Sequence, residues 1–178
     1  MKIFDVSTGA LVRTIGTPKG STYAVSYSGD GRHLVTRHED SSLRIWDAAT
    51  GRELREIKPP GGHTHFFAFS RDGRWMAFGG EDGSIRRIDI ETGQERRLDQ
   101  PGETVHVAFH PAGRHLAAST GDGKVWVWDL TSDKPVRTIA SDMGYGARLA
   151  FTPDGRTLAV TASASETKCA IHVFGMKP

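Results

Sequence analysis

Apolar residues recur at alternate positions in four short runs, Val25 and Tyr27, Phe67 and Phe69, Val107 and Phe109, and Leu149 and Phe151. A period of two predicts a strand with one face turned to a core. Each run leads into a turn: Ser28-Gly29-Asp30-Gly31-Arg32, Ser70-Arg71-Asp72-Gly73-Arg74, His110-Pro111-Ala112-Gly113-Arg114 and Thr152-Pro153-Asp154-Gly155-Arg156. Glycine there takes positive φ without steric cost and proline presets φ, so these are hairpin turns. The second strand of each unit is nearly all apolar, as in Leu34-Val35-Thr36, Met76-Ala77-Phe78, Leu116-Ala117-Ala118 and Leu158-Ala159-Val160. Such a strand is covered on both faces. An acidic turn leads to a third strand ending in Ile45-Trp46-Asp47, Arg87-Ile88-Asp89, Val127-Trp128-Asp129 or Val173-Phe174-Gly175. The fourth strand, for example Leu54-Arg55-Glu56-Ile57, is polar enough to be a solvent-facing edge.

The turn glycines Gly31, Gly73, Gly113 and Gly155 lie 42, 40 and 42 residues apart. Self-similarity at that period marks a repeat whose units cannot bury their faces alone. Four antiparallel strands per repeat predict an all-β propeller of four-stranded blades. Counted along the chain, residues 1–15 give the last two strands of a blade, 16–57, 58–99 and 100–139 give three whole blades, and 140–178 gives three strands. We therefore expect one propeller domain over 1–178, with about four blades, that is a partial or open ring. In the fourth unit, four extra residues around Ser165-Glu166-Thr167-Lys168 lie between turn and strand end.

The literal pairs Trp46-Asp47 and Trp128-Asp129, the degenerate Phe4-Asp5 and Ile88-Asp89, and Gly62-His63 recur in phase. With them the chain resembles the WD40-repeat β-propeller family, in particular the looser repeats of its bacterial members. The resemblance implies a hydrogen-bond chain in each blade, linking the histidine of a Gly-His pair, a strand hydroxyl, a turn aspartate and the tryptophan. Asp40, Asp82 and Asp122 stand six residues before Trp46, Ile88 and Trp128, as that pattern requires. His63 falls in the unit that has Ile88 in place of tryptophan, which breaks the chain there. Blades of this kind should rest mainly on apolar packing, at about 25 cal/mol per Å² buried.

Composition narrows the function. The 23 basic and 21 acidic residues, for a net charge of +2, are dispersed without the like-charge block of a nucleic-acid or membrane partner. One cysteine, Cys169, excludes an internal disulfide and fits a reducing, cytoplasmic setting. No apolar run reaches eighteen residues, the length that announces a membrane span. The histidines His63, His65, His106 and His110 have no carboxylate or thiol at ligand spacing, so no metal is expected. No nucleophile elbow, Cys-His pair or phosphate-binding loop appears, so neither catalysis nor a cofactor is expected. Arg86, Arg87, Arg96 and Arg97 form the one basic cluster. Arg87, where the other units carry Ile45 and Val127, must reach solvent or pair with a carboxylate.

The resemblance implies a recognition face on the rim where the first strands begin and the acidic turns lie. By position that face carries Tyr23, His65 and His106, with Glu39 and Glu81 just before the turn aspartates. Aromatic and charged side chains on a rigid scaffold suit partner binding. The expected function is a non-catalytic protein-interaction scaffold for a protein or peptide, with self-association through open blade edges. The alternatives are a sensor or regulatory module of a larger signalling protein and a propeller hydrolase or lactonase.

Overall fold

The computed structural model describes residues 1–16, 20–59, 64, 66–80, 82–99, 102–140, 147–165 and 168–175. Among them are seventeen strands. They are β1 (Lys2–Phe4), β2 (Leu11–Thr14), β3 (Thr22–Tyr27), β4 (His33–His38), β5 (Leu43–Asp47), β6 (Glu53–Ile57), β7 (Phe67–Phe69), β8 (Trp75–Gly79) and β9 (Ser84–Asp89). The rest are β10 (Glu95–Asp99), β11 (Thr104–Phe109), β12 (His115–Thr120), β13 (Val125–Asp129), β14 (Lys134–Ala140), β15 (Leu149–Phe151), β16 (Thr157–Ser165) and β17 (Lys168–Gly175). All pairing is antiparallel between neighbours in sequence, giving a β1–β2 hairpin, three four-stranded sheets and a three-stranded sheet β15-β16-β17. The all-β architecture of four-stranded blades is as the hydrophobic pattern predicts.

The chain divides into two compact units, Met1–Pro59 and Pro60–Pro178. In the first, Ile3 of the β1–β2 hairpin, Met1 and Ile15 pack against Leu34 and Trp46 of the β3–β6 sheet. The Met1 ammonium donates to the Ile15 carbonyl at 2.9 Å and Arg13 Nη1 to the Thr50 carbonyl at 3.0 Å. The hairpin leaves the alternating residues of β3 uncovered within this unit. Val25 stays 56% and Tyr27 49% exposed.

In the second unit the innermost strands β7, β11 and β15 are neighbours, so the three sheets stack face to face. Ala77, Ile85 and Leu98 of the first sheet bury against Val107, Leu116, Ala118 and Trp128 of the next. Ala117, Val125 and Val127 of that sheet bury in turn against Leu149, Leu158 and Val160. The second strands β8 and β12 are buried nearly throughout, the double coverage read from their continuous apolarity. In β10 the polar positions face solvent and only Leu98 is buried. The extra residues of the fourth unit lengthen the β16–β17 hairpin, whose ladder runs to the Ser165↔Lys168 pair. Ile171 and Val173 on β17 remain exposed.

The polar residues of the repeat mostly close turns. Asp5, Asp47, Asp89 and Asp129, at the ends of third strands, each accept a backbone N–H from a residue two or three positions on, Asp5 and Asp89 from both. The hydroxyls of Ser7, Thr50 and Thr131, which donate to Asp5, Asp47 and Asp129, and then these N–H groups favour the ionised form, so all four carboxyls lie below the usual range, Asp5 at about 2. The turn arginine ties in as well: Arg74 reaches Asp89 at 2.9 Å and Arg114 reaches Asp129 at 3.1 Å. In all three four-stranded sheets its carbonyl accepts the N–H following that aspartate.

Two glycines are demanded by close approach. A Cβ on Gly79 would fall 2.8 Å from the Thr104 carbonyl oxygen, where β8 meets β11. Gly155, at φ +71°, faces the His110 ring, and a side chain there would meet it. His110 Nε2 lies 3.0 Å from the Gly155 carbonyl and its Nδ1 accepts the Ala112 N–H at 3.1 Å. With Nδ1 occupied by that N–H, Nε2 is the ring nitrogen that donates to the Gly155 carbonyl.

Candidate recognition face

In the second unit, the residue immediately before the first apolar residue of each first-strand run falls in one column: Phe66, His106 and Arg148. Because β7, β11 and β15 are neighbours, the three side chains converge. The rings of Phe66 and His106 are 4.8 Å apart at 46°. The Arg148 guanidinium lies over the Phe66 ring at 4.7 Å, within cation–π range. The Leu149 N–H points to His106 Nδ1 at 3.4 Å. Burial first, and the Arg148 charge second, push the His106 pKa down to about 4. At neutral pH the imidazole is therefore uncharged, an acceptor at Nδ1 and a donor at Nε2.

In the first unit, Tyr23 is exposed and carries the Arg37 guanidinium 5.3 Å above its ring. Glu39, at the far end of the β4 strand, accepts the Ser21 N–H at 3.0 Å. Tyr23, Arg37 and Glu39 thus share the end of the sheet where β3 begins and β4 ends. His65 and Glu81, expected on the same face, and His63 of the Gly-His pair lie outside the described residues.

The turn aspartates bind locally. Asp40 accepts the Ser42 N–H and hydroxyl at 3.0 and 2.6 Å, and Asp82 does the same with Ser84 at 3.1 and 2.6 Å. Asp122 accepts the Thr120 hydroxyl at 2.6 Å and sits 2.5 Å from Lys124 Nζ. Trp46 donates its indole N–H to Thr36 Oγ1 at 2.8 Å, and Thr36 Oγ1 is 2.7 Å from His38 Nε2. His38 Nδ1 is in turn 3.4 Å from the Thr22 hydroxyl. The histidine of this network comes from the second strand itself, two residues past Thr36 and so on the same face. That spacing was the signal for it, and the Gly-His pattern drew attention elsewhere. Trp128 has no such partner: its N–H is buried with no acceptor among the described residues.

Of the basic cluster, Arg87 is buried and pairs as the carboxylate alternative requires. Its Nη1 donates to the Leu130 carbonyl at 3.1 Å, its Nη2 lies 3.5 Å from Asp133, and the guanidinium covers the Trp75 ring at 4.6 Å. Arg96 also approaches Asp133, at 3.7 Å, while Arg86 pairs with Glu95 and Asp82, and Arg97 with Asp82 and Asp99. Among the described residues no three His, Cys, Asp or Glu side chains gather as a metal site would need.

The family profile of the WD domain, G-beta repeat, matches residues 9–47, 54–89 and 95–129, more than half of the chain. The chain belongs to that family. Over 70 residues this WD-repeat chain is 39% identical to the Protein LST8 homolog of Drosophila melanogaster, a stretch covering 35% of the chain and 22% of the fly protein. Among solved structures, Kuenenia stuttgartiensis Hydrazine Synthase superposes with a TM-score of 0.76 over 94% of the chain and 49% of its own, at 19% identity. At that identity the likeness speaks for the fold alone. The WD-repeat chain thus spans less than two thirds of either protein's length.

Proposed function

We propose that this WD-repeat chain is a non-catalytic interaction scaffold that holds a protein or peptide partner against the ends of its inner strands, and that it works in the cytoplasm. The carrying observation is the Phe66–His106–Arg148 column, in which three successive sheets each present one side chain suited to contact at one place. Aromatic and arginine groups are the types over-represented where protein surfaces bind. Tyr23, Arg37 and Glu39 offer the corresponding chemistry in the first unit. Family membership supports the reading, since a rigid scaffold holds the loops on which binding residues concentrate. The single cysteine and the lack, among the described residues, of a helix long and apolar enough to cross a membrane accord with it.

The test is an affinity capture with the immobilised chain, comparing wild type with a Tyr23→Ala/Glu39→Ala/His106→Ala variant whose circular dichroism is unchanged. Loss of the captured protein from the variant is the expected result. Equal recovery on both removes the reading.

A further inference from the structure

We propose that the Phe66–His106–Arg148 column takes the carboxylate of an acidic side chain, so that the partner's docking segment is an acidic peptide; this rests on the scaffold reading above and gives it a chemistry. Arg32, Arg44, Arg74, Arg86, Arg87, Arg96, Arg97 and Arg114 each lie within ion-pair distance of a carboxylate. Arg148, which is exposed, is one of the eight arginines that pair with no described carboxylate, and of those it is the one that meets a histidine and an aromatic ring from two other sheets. Its guanidinium lies over the Phe66 ring at 4.7 Å, and none of its side-chain N–H groups donates to a described residue.

His106 supplies the second donor. Its Nδ1 takes the Leu149 N–H at 3.4 Å, which places the ring proton on Nε2, and no described residue accepts that proton. Burial and the neighbouring guanidinium keep the ring neutral. The column therefore offers one full positive charge, one neutral N–H donor and an aromatic wall. A single carboxylate matches that charge, and a bidentate fork to its two oxygens is the strong form of such a bond. A phosphoryl dianion would leave a charge unmatched, and a lysine or arginine of a partner would meet a like charge.

The probes are four fluorescent hexapeptides identical except for a central glutamate, glutamine, lysine or phosphoserine. Affinity is read by anisotropy, and position by the His106 ring signals of the isotope-labelled full chain. We expect the glutamate peptide to bind about tenfold more tightly than the glutamine peptide, the size of one charge-assisted bond, and to shift the His106 ring. Arg148→Gln should abolish that preference with the backbone amide spectrum unchanged, and Arg148→Lys should restore part of it. Glutamine or lysine peptides that bind as tightly while shifting His106 would overturn the acidic assignment and leave the scaffold reading standing. A preference for the phosphoserine peptide would overturn the carboxylate assignment, as would a glutamate preference that survives Arg148→Gln. If no peptide shifts His106, the carboxylate assignment falls, and the affinity capture described above decides the scaffold reading separately.

Discussion

Two sheets of this chain carry the same Trp-Asp signature and use it differently. In the β3–β6 sheet, Trp46 donates to Thr36, and the hydroxyl continues to His38 and Thr22. In the β11–β14 sheet, Trp128 occupies the same register, opposite Leu116 as Trp46 is opposite Leu34. The position ten residues before it, however, is Ala118, where the other sheet has Thr36. Its indole N–H is consequently buried without an acceptor among the described residues, and the ring serves only as packing for Leu98, Val107 and Leu130. The Trp-Asp pair thus marks a position in the blade. Whether that position is a hydrogen-bonded pin or an apolar plug depends on one residue in the neighbouring strand.

The largest effect should come from breaking the pin. Thr36→Val keeps the shape but strands the indole N–H and the His38 ring nitrogen, and should cost about 3 kcal/mol, since each orphaned buried group costs about 1–3 kcal/mol. Urea unfolding measures it, and the loss should shrink in a Trp46→Phe background, where one orphan is gone. The unpinned sheets instead rely on contacts such as Arg87, which ties the Leu130 carbonyl and Asp133 across to Trp75. Arg87→Ala should cost about 2 kcal/mol, and Arg87→Met distinctly less because the stem still covers the ring.

A smaller change of opposite sign would sharpen the contrast. Ala118→Ser offers Trp128 the acceptor it lacks and should stabilise by about 1 kcal/mol; a loss in the same urea experiment would show that the packed site has no room for the oxygen. The last effect is the smallest at neutral pH, because it appears only in acid. The His106 pKa falls from an ordinary 6.5 to about 4 in the folded chain, so between those values the unfolded chain takes up a proton that the folded chain refuses. Stability from this group is fully present above pH 6.5 and is lost as pH falls toward 4. His106→Gln should flatten that part of the stability profile and leave the neutral region nearly unchanged. The carboxylates of the turns, whose pKa values are lowered, lose their contribution further into acid and set the remaining slope.

Much of the architecture was legible before any coordinates. Strand alternation, the turn glycines and the recurring strand-end aspartates define local geometry, and local geometry follows from residue type. The order of four antiparallel strands, the polar fourth strand and the buried second one all follow from it. The lengthened β16–β17 hairpin also lay where the four extra residues sit. The covering of the faces was not legible. Val107 and Val25 head equivalent runs, yet Val107 is 1% exposed between two sheets and Val25 is 56% exposed in its own unit. An alternating pattern states which face wants burial and says nothing of what arrives to cover it.

The candidate binding residues divide in the same way. Tyr23, Glu39 and His106 were placed by their position in the repeat, whereas Phe66 and Arg148 escaped notice because neither is unusual in its own stretch of sequence. What the sequence determined by itself is the blade: its strand order, its turns and its register, because these depend on residues within a few positions of one another or on one period of the repeat. What only the tertiary structure decided is which side chains from different blades meet. Arg87 with Asp133, His110 with Gly155, and Phe66 with His106 and Arg148 lie about forty or more residues apart, and it is the stacking of sheets, driven by buried apolar faces, that brings them within a few ångströms.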